Sequence, residues 1–215
     1  MDNPSDKIQL NERKWDQRSR TYDQKRFDYF RWMQQQAIRL IDLRPGMHFL
    51  DIGCGTGWAV RYVAGLLHDE GDFSGVDISS GMIEKAQSQS QGLEPVHFCQ
   101  ANVERLPFED ETVDAALCTN SFHHYPDPVK ALIEIGRVLK PGGRFFILDV
   151  TADDFFIRWV DSRVRQNEQE HVKFYGSREY HDLFTAARFD HIQSKTITYP
   201  LKIHIAGKPA SPQPL

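Results

Sequence analysis

Three glycines at alternate positions, Gly53, Gly55 and Gly57, constrain this chain more than any other feature of its sequence. They follow an apolar run, Met47 to Ile52, that predicts a buried strand, and they precede an apolar segment, Trp58 to Leu67, that predicts a helix. Glycine lets the backbone turn sharply and lets a ligand approach the main chain closely. A plain strand-to-helix turn needs fewer glycines, so the loop predicts a site for an anion or a nucleotide.

The spacing of these glycines distinguishes between cofactors. A dinucleotide site needs G-x-G-x-x-G/A, and counted from Gly53 or Gly55 the last position falls on Trp58 or Val60. The spacing therefore counts against a dinucleotide. Asp77 ends the second predicted strand, and a carboxylate there can accept hydrogen bonds from both ribose hydroxyls of whichever nucleoside is bound.

Short apolar strands alternate with helical segments along most of the chain. This alternation predicts an α/β fold with a parallel sheet that carries helices on both faces. Two further strands, 192–199 and 201–206, are separated by Pro200 alone and predict a hairpin, so at least one of them is antiparallel to the others. The other predicted strands are 47–52, 73–78, 96–100, 113–119 and 144–150.

Composition and charge narrow the possible functions. The chain has 215 residues, 40% of them hydrophobic, and a formal charge of −4, which predicts one globular domain without a basic surface for generic binding to nucleic acid or anionic membranes. No segment has the roughly 20 apolar residues of a membrane span, and the first residues lack the apolar core of a signal peptide. Three cysteines without paired spacing indicate a reducing compartment, so we expect a cytoplasmic protein without disulfides.

Four segments, in this order and spacing, resemble the class I S-adenosylmethionine-dependent methyltransferases. The similarity is greatest to the branch that acts on small molecules, which includes the ubiquinone and menaquinone C-methyltransferases. It implies a Rossmann-like, doubly wound α/β/α sandwich whose mostly parallel, seven-stranded sheet has an antiparallel last strand. The four segments are Asp51-Ile-Gly-Cys-Gly-Thr-Gly57, Gly75-Val-Asp-Ile-Ser79, Leu106-Pro-Phe108 and Arg137-Val-Leu-Lys-Pro-Gly-Gly143.

The resemblance covers about residues 45–150 and implies a division of the chain. The expected parts are a helical cover segment (1–44), an S-adenosylmethionine-binding domain (45–207) with 151–190 as a cover or lid insertion, and a flexible tail (208–215).

Two of these parts differ most from the family and should determine the substrate. Residues 1–26 are polar and predict a helical segment that is weakly packed or mobile. In the second part, Phe155, Phe156 and Trp159 belong either to an amphipathic cover helix or to an aromatic lid for an apolar acceptor.

The resemblance also implies cofactor contacts. The loop from Gly53 to Gly57 passes under the methionine moiety, Asp77 holds the ribose, and Asn102 stands where the family usually has an acidic residue for the adenine amino group. The expected product is S-adenosylhomocysteine. The full set of expected cofactor-binding residues is Tyr22, Asp51, Gly53, Cys54, Gly55, Gly57, Asp77, Ile78, Met82, Asn102, Val103, Thr119 and Asn120.

Methyl transfer from a sulfonium is an in-line displacement whose leaving group needs no proton, so the protein can act mainly by positioning and by excluding water. A phenol, an activated carbon or a protonated amine would also need a base. His123 and His124 follow the fourth strand and are the candidates; the alternative is that this pair only shapes the pocket. Adjacent histidines lack the i, i+4 spacing of a helical metal site, so we expect no metal.

Two other functions stay open at this stage. One is a protein that binds the cofactor without turnover, as a regulatory or scaffold partner, because an intact loop and Asp77 argue for binding but say nothing about turnover. A nucleotide-dependent oxidoreductase is the other alternative, and the glycine spacing counts against it.

Overall fold

A computed structural model describes residues 4–19 and 27–210. Its strands are β1 (Met47–Ile52), β2 (Gly71–Asp77), β3 (Val96–Gln100), β4 (Val113–Thr119), β5 (Leu139–Val150), β6 (Asp190–Thr198) and β7 (Leu201–Gly207). Its helices are α1 (Pro4–Ser19), α2 (Phe27–Ile38), α3 (Trp58–Leu66), α4 (Ser80–Ser88), α5 (Pro128–Val138), α6 (Phe155–Asn167) and α7 (Ser177–Ala186), with a short 3₁₀ turn at Phe122–His124.

The seven strands form one sheet in the order β3-β2-β1-β4-β5-β7-β6. Strands β1 to β5 pair in parallel, and β7 lies between β5 and β6, antiparallel to both. The predicted fold class is confirmed, including the antiparallel last strand. The strand order reverses between β1 and β4, and in open α/β sheets ligands bind at the carboxyl ends of the strands at such a point.

Helices cover both faces of this sheet, because successive residues of a buried strand point to opposite sides. Phe49 of β1 packs in one core with residues of α2, α3 and α4, and its neighbour Leu50 packs in a second core with α5 and α7. Both side chains are fully buried. The sheet is therefore a rigid layer that holds the loops at its carboxyl edge in place.

The predicted and observed strands differ most in β5, which begins at Leu139 rather than at Arg144. Leu139 pairs with Val113, and the pairing resumes at Arg144 after a shift in register. Lys208, assigned to the tail by the sequence, donates its N–H to the carbonyl of Gly143. Residues 211–215 of the expected tail lie outside the described part of the chain.

The expectation of a weakly packed or mobile amino-terminal segment is wrong for α1, which packs against α4. The Asp16 carboxylate accepts hydrogen bonds from Ser79 Oγ at 2.5 Å and from the Gly81 N–H at 3.1 Å. Asn11 and Ser19 are buried. The polar residues of α1 make specific contacts, which composition alone does not reveal. In the ranges that the structure describes, no helix has the length and apolar character to cross a membrane.

Candidate cofactor site

A cavity opens at the carboxyl ends of β1, β2 and β4, at the point where the strand order reverses. We call it the cofactor cavity. Its lining combines apolar side chains with polar ones from four separate loops. Nine of the expected cofactor-binding residues line it: Gly53, Gly55, Asp77, Ile78, Met82, Asn102, Val103, Thr119 and Asn120.

The glycine loop has the backbone geometry that requires glycine. Gly53 and Gly57 have φ angles of 72° and 76°, in the left-handed region. A Cβ at Gly53 would lie 2.3 Å from Ser121 Oγ, and one at Gly57 would lie 2.5 Å from the ring of Phe98. Gly53 therefore allows the glycine loop to lie close to Ser121 at the cavity wall, whereas Gly57 allows the loop to pack closely on Phe98 of the sheet.

Asp77 connects the glycine loop to the next helix. One carboxylate oxygen accepts a hydrogen bond from the Gly55 N–H at 2.9 Å, and the other accepts one from the Ser79 N–H at 2.9 Å. Burial raises the pKa of this carboxyl group, and the two N–H donors oppose that rise. Each oxygen has a second lone pair, so the carboxylate that fixes the loop can also receive ribose hydroxyls.

Asp51 is a buried acid beneath the same loop. Its two carboxylate oxygens have no hydrogen-bond partner among the described residues. Burial, with a smaller contribution from the charge of Asp77, raises its pKa to about 8. A buried polar group without a partner is costly, and the cationic amino group of S-adenosylmethionine, bound above the loop, would favour the ionised form of this acid.

Asn102 lies on the adenine side of the expected site, where its side chain already has a local role. Its amide oxygen accepts a hydrogen bond from the Glu104 N–H at 3.0 Å and so closes a turn. The residue still lines the cofactor cavity together with Val103. A remaining lone pair on the amide oxygen can accept a hydrogen bond from an adenine amino group.

Helix α1 lines the cofactor cavity through Ile8, Asn11 and Trp15, which sequence reasoning missed. Asn11 Nδ2 donates to the His124 carbonyl at 2.9 Å and so attaches α1 to the cavity wall. The three residues are spaced by three and four positions, which places them on one face of a helix. That spacing was the available signal, and the polar composition of the segment obscured it.

A second cavity adjoins the cofactor cavity on the side of α2. The two cavities share Gly53, Gly55, Thr119 and Asn120. Helix α2 contributes Gln34, whose Nε2 donates to Thr119 Oγ1 at 3.3 Å. The remaining lining residues are Phe30, Arg31, Met33, Cys54, Thr56 and Trp58.

The other expected residues are placed as follows. Cys54 lines the second cavity only, and Asp51 and Gly57 lie outside the linings of both cavities. Tyr22 lies outside the residues that the structure describes. Burial raises the pKa of the Cys54 thiol well above its usual range, which disfavours a thiolate.

The two candidate bases differ in position. His124 lines the cofactor cavity, whereas His123 lines neither of the two cavities described above. His124 Nδ1 lies 3.1 Å from the Glu170 carbonyl oxygen, and His123 Nδ1 lies 2.9 Å from each oxygen of the Asp149 carboxylate. Burial lowers the pKa of His124 well below its usual value, so this ring is neutral at neutral pH.

The aromatic residues of α6 do not form a pocket at the cofactor site. Phe155, Phe156 and Trp159 are exposed, and none of them lines either of the two cavities. Tyr175, from the same expected lid, is buried against Phe122 and Tyr180. In this structure the α6 aromatics lie on the exposed face of their helix.

Comparison with known proteins agrees with this geometry. The family described as "Methyltransferase domain" matches residues 50–147. The uncharacterized methyltransferase YcgJ of Bacillus subtilis is 33% identical over 181 residues, which are 80% of this chain and 70% of YcgJ. The solved structure of YcgJ superposes with a TM-score of 0.68 at 30% identity, over 77% of this chain and 71% of that one.

Two further relatives differ in how much of their length is matched. A demethylmenaquinone methyltransferase of Bacillus cereus is 26% identical over 202 residues, 83% of this chain and 85% of that protein. An uncharacterized 37.1 kDa protein in transposon TN4556 of Streptomyces fradiae is 34% identical over 145 residues, 67% of this chain. The chain spans only 42% of that transposon protein.

A glycine loop, an acid at the end of β2 and an antiparallel last strand define a class I, Rossmann-like methyltransferase. The chain belongs to the S-adenosylmethionine-dependent methyltransferase family, and S-adenosylmethionine is its cofactor.

Proposed function

We propose that this methyltransferase acts on a small-molecule acceptor. The observation that carries the proposal is that two adjoining cavities, which together we call the cofactor groove, share Gly53, Gly55, Thr119 and Asn120 in their walls. The apolar lining beside Asp77 suits the adenosine half of the cofactor, and the shared residues suit the methionine half. Helices α1 and α2 border the groove, so the space beside the transferred methyl group suits a small acceptor.

In this proposal the chain accelerates the reaction mainly by positioning. Asp77 and the glycine loop fix the cofactor, and Trp15 and Ile8 of α1 exclude water from it. Orienting two reactants for an in-line displacement contributes roughly 7–11 kcal/mol in well-oriented systems. The cofactor supplies the methyl group, and the sulfur retains the electron pair of the broken bond.

A base is needed only for an acceptor that must lose a proton. His124 is the better candidate, because it lines the cofactor cavity and His123 does not. Its low pKa makes it a weak proton acceptor at neutral pH. For such acceptors, replacement of His124 by Gln should shift the pH profile of kcat as well as lower its plateau.

The test is a conversion assay with the purified chain, S-adenosylmethionine and a panel of quinols, phenols, amines and thiols, in which S-adenosylhomocysteine is measured by mass spectrometry. Quinols come first, because a demethylmenaquinone methyltransferase is among the relatives. We expect product with at least one class, and loss of that product in Asp77→Ala. Tight cofactor binding without product from any class would favour a binding protein without turnover.

We also propose that the chain consists of a cofactor-binding domain and two cover segments. The support for 1–44 as a cover over the domain at 45–207 is that α1 and α2 line the groove. Residues 151–190 are proposed as a second cover, because their 168–174 stretch packs on the loop that follows β4.

The cellular location and the acceptor class are proposed from the cysteines and the charge. All three cysteines are free, which suits the cytoplasm. The net charge of −4 argues against nucleic acid as the acceptor.

A further inference from the structure

Three buried histidines come together beside the cofactor cavity, namely His123 and His124 from the turn after β4 and His171 from the segment after α6. One ring nitrogen from each can be chosen so that all three lie within 4.8 Å of one another. The ring centroids of His123 and His124 are 4.0 Å apart, and that of His171 lies 5.3 Å from His123. We call this group the histidine cluster.

Each ring of the cluster is held by an acceptor on its outer side. His123 Nδ1 lies 2.9 Å from the Asp149 carboxylate, and His124 Nδ1 lies 3.1 Å from the Glu170 carbonyl oxygen. His171 Nε2 lies 2.7 Å from Asp161 Oδ1. A carbonyl or an ionised carboxylate can only accept, so in the neutral rings these nitrogens carry the hydrogens.

The two carboxylates are themselves fixed by other donors. Asp149 accepts hydrogen bonds from the backbone N–H groups of His123 and Val150. Asp161 accepts one from the Phe174 N–H and forms an ion pair with Arg165. The orientation of the rings is therefore set by a second layer of contacts, as is typical of histidines that bind metals.

In its neutral form, each ring therefore has a lone pair on its second nitrogen. We propose that the histidine cluster binds one divalent transition-metal ion, of which Zn²⁺ is the natural candidate, through Nε2 of His123, Nε2 of His124 and Nδ1 of His171. Lone pairs brought together in a buried space repel one another unless a cation lies between them. Neutral imidazole is a preferred ligand of Zn²⁺, and Asp149 and Asp161 supply compensating charge.

The spacing of the nitrogens is compatible with coordination after a small adjustment. Zn–N bonds of about 2.0–2.1 Å in a tetrahedron place the nitrogens roughly 3.3 Å apart. Each of the three rings has one nitrogen within 4.8 Å of a nitrogen on each of the other two, so the rings already lie within about 1.5 Å of this spacing. The sequence-based expectation of no metal rested on the spacing of ligands along the chain; the third ligand proposed here comes from His171, far from the adjacent pair in sequence.

Three protein ligands leave a fourth coordination position open, as in catalytic zinc sites. Because His124 lines the cofactor cavity, the ion would lie at the wall of that cavity. An acceptor hydroxyl bound to the ion would release its proton to solvent, and the oxyanion would then attack the methyl carbon while the sulfur keeps the electrons of the broken bond. This consequence rests on the proposed function, and under it His124 is a ligand and not a base.

The test of the site is a metal titration of the full chain without a histidine tag. After treatment with a chelator and dialysis, the protein is titrated with Co²⁺, and the visible absorption of tetrahedral cobalt is recorded; Zn²⁺ is then added as a competitor. We expect one equivalent of Co²⁺ per chain and its displacement by one equivalent of Zn²⁺. Elemental analysis of the Zn²⁺-loaded protein checks the stoichiometry.

Variants locate the ion. His171→Gln should lose the cobalt absorption, and Asp161→Asn should weaken Co²⁺ binding by 10- to 100-fold, the usual effect of losing a second-layer partner. His191→Gln is the matched control and should bind as the wild type does, because His191 is exposed and lies at the opposite edge of the sheet, beside the amino-terminal half of β5. Titration with S-adenosylhomocysteine reports whether each variant is folded.

Two outcomes would overturn the inference. One is binding of much less than one equivalent by the wild type, and the other is equal binding by the wild type and a folded His171→Gln variant. Product formation by the chelated protein would remove the metal's role in acceptor activation and leave the proposed function standing. A bound metal without product from any acceptor would leave the metal site standing and count against the proposed function.

Discussion

The two walls of the cofactor groove are built in different ways. On the strand side, Asp77 accepts hydrogen bonds from Ser79 and Gly55, which are 2 and 22 positions away in the chain. On the cover side, Asn11 donates to the carbonyl of His124, 113 positions away, and Lys14 forms an ion pair with Glu170, 156 positions away. The first wall follows from the turns that end two adjacent strands, whereas the second exists only after distant parts of the chain have met.

The strand-side wall is most vulnerable at Gly57. In Gly57→Ala the new Cβ would lie 2.5 Å from the Phe98 ring, at a φ of 76° that alanine disfavours. Strain of about 1–3 kcal/mol and overpacking of about 1–3 kcal/mol should together lower the free energy of unfolding by roughly 2–6 kcal/mol. Denaturant titration measures the loss.

Gly65→Ala is the control for this substitution. Gly65 lies in α3, and nothing surrounds its Cβ position within 4 Å. Alanine there should leave stability unchanged or raise it by up to about 1 kcal/mol, because alanine favours a helix. Equal effects of the two substitutions would contradict the account of the glycine loop.

Asp51 predicts how the stability of the ligand-free protein depends on pH. Its pKa is about 8 in the folded state and near 3.8 in the unfolded chain, so between these values folding takes up a proton and stability falls as pH rises. From pH 5 to 7, the free energy of unfolding of Asp51→Asn should therefore rise relative to that of the wild type by up to about 1.4 kcal/mol per pH unit.

Denaturant titrations at several pH values test this expectation. The control is internal: above about pH 9, Asp51 is ionised in both the folded and the unfolded chain, so the difference between Asp51→Asn and the wild type should stop growing there. A difference that stays constant between pH 5 and 7 would mean that the buried carboxylate has a partner.

Asp77→Ala tests the wall at the ribose position. Removing hydrogen bonds to a charged group should weaken cofactor binding by roughly 1.5–3 kcal/mol, which is about 10- to 150-fold in Kd. Calorimetric titration with S-adenosylhomocysteine measures the change, and Asp72→Ala is the matched variant on the same strand. An unchanged Kd in Asp77→Ala would remove the ribose assignment.

Asp16→Ala tests the cover-side wall, where the expected effect is smallest. The substitution removes two hydrogen bonds to the start of α4, from Ser79 and Gly81, and should weaken cofactor binding by about 1 kcal/mol. Amide hydrogen exchange should increase in α1 and stay unchanged in β1. Asp6→Ala, at an exposed position of the same helix, should alter neither measurement.

The same contrast explains what could be predicted from the sequence. Gly53, Gly55 and Asp77 were found because turn geometry and strand ends leave a local pattern, and they line the cavity. The parallel sheet and the terminal hairpin were likewise predicted from periodicity and spacing, and the structure confirms them. Each of these features depends on neighbours within a few tens of residues.

The rest could not be derived in this way. His171 lies beside His123 only because the segment after α6 folds back, where Val172 and Lys173 donate N–H groups to the carbonyl of His123. Likewise, the polar residues of α1 indicate exposure by composition, whereas Asn11 is buried against the loop of His124. The spacing of Ile8, Asn11 and Trp15 indicates one face of a helix but not what that face covers, because such contacts are decided by the packing of segments distant in sequence.

Calorimetric titration of the purified chain with S-adenosylmethionine, S-adenosylhomocysteine and NAD in parallel tests the central claim most directly. We expect micromolar binding of the first two ligands, one per chain, and no heat from NAD. Binding of NAD alone would contradict the account, because it would mean that the G-x-G-x-G loop and Asp77 serve a dinucleotide.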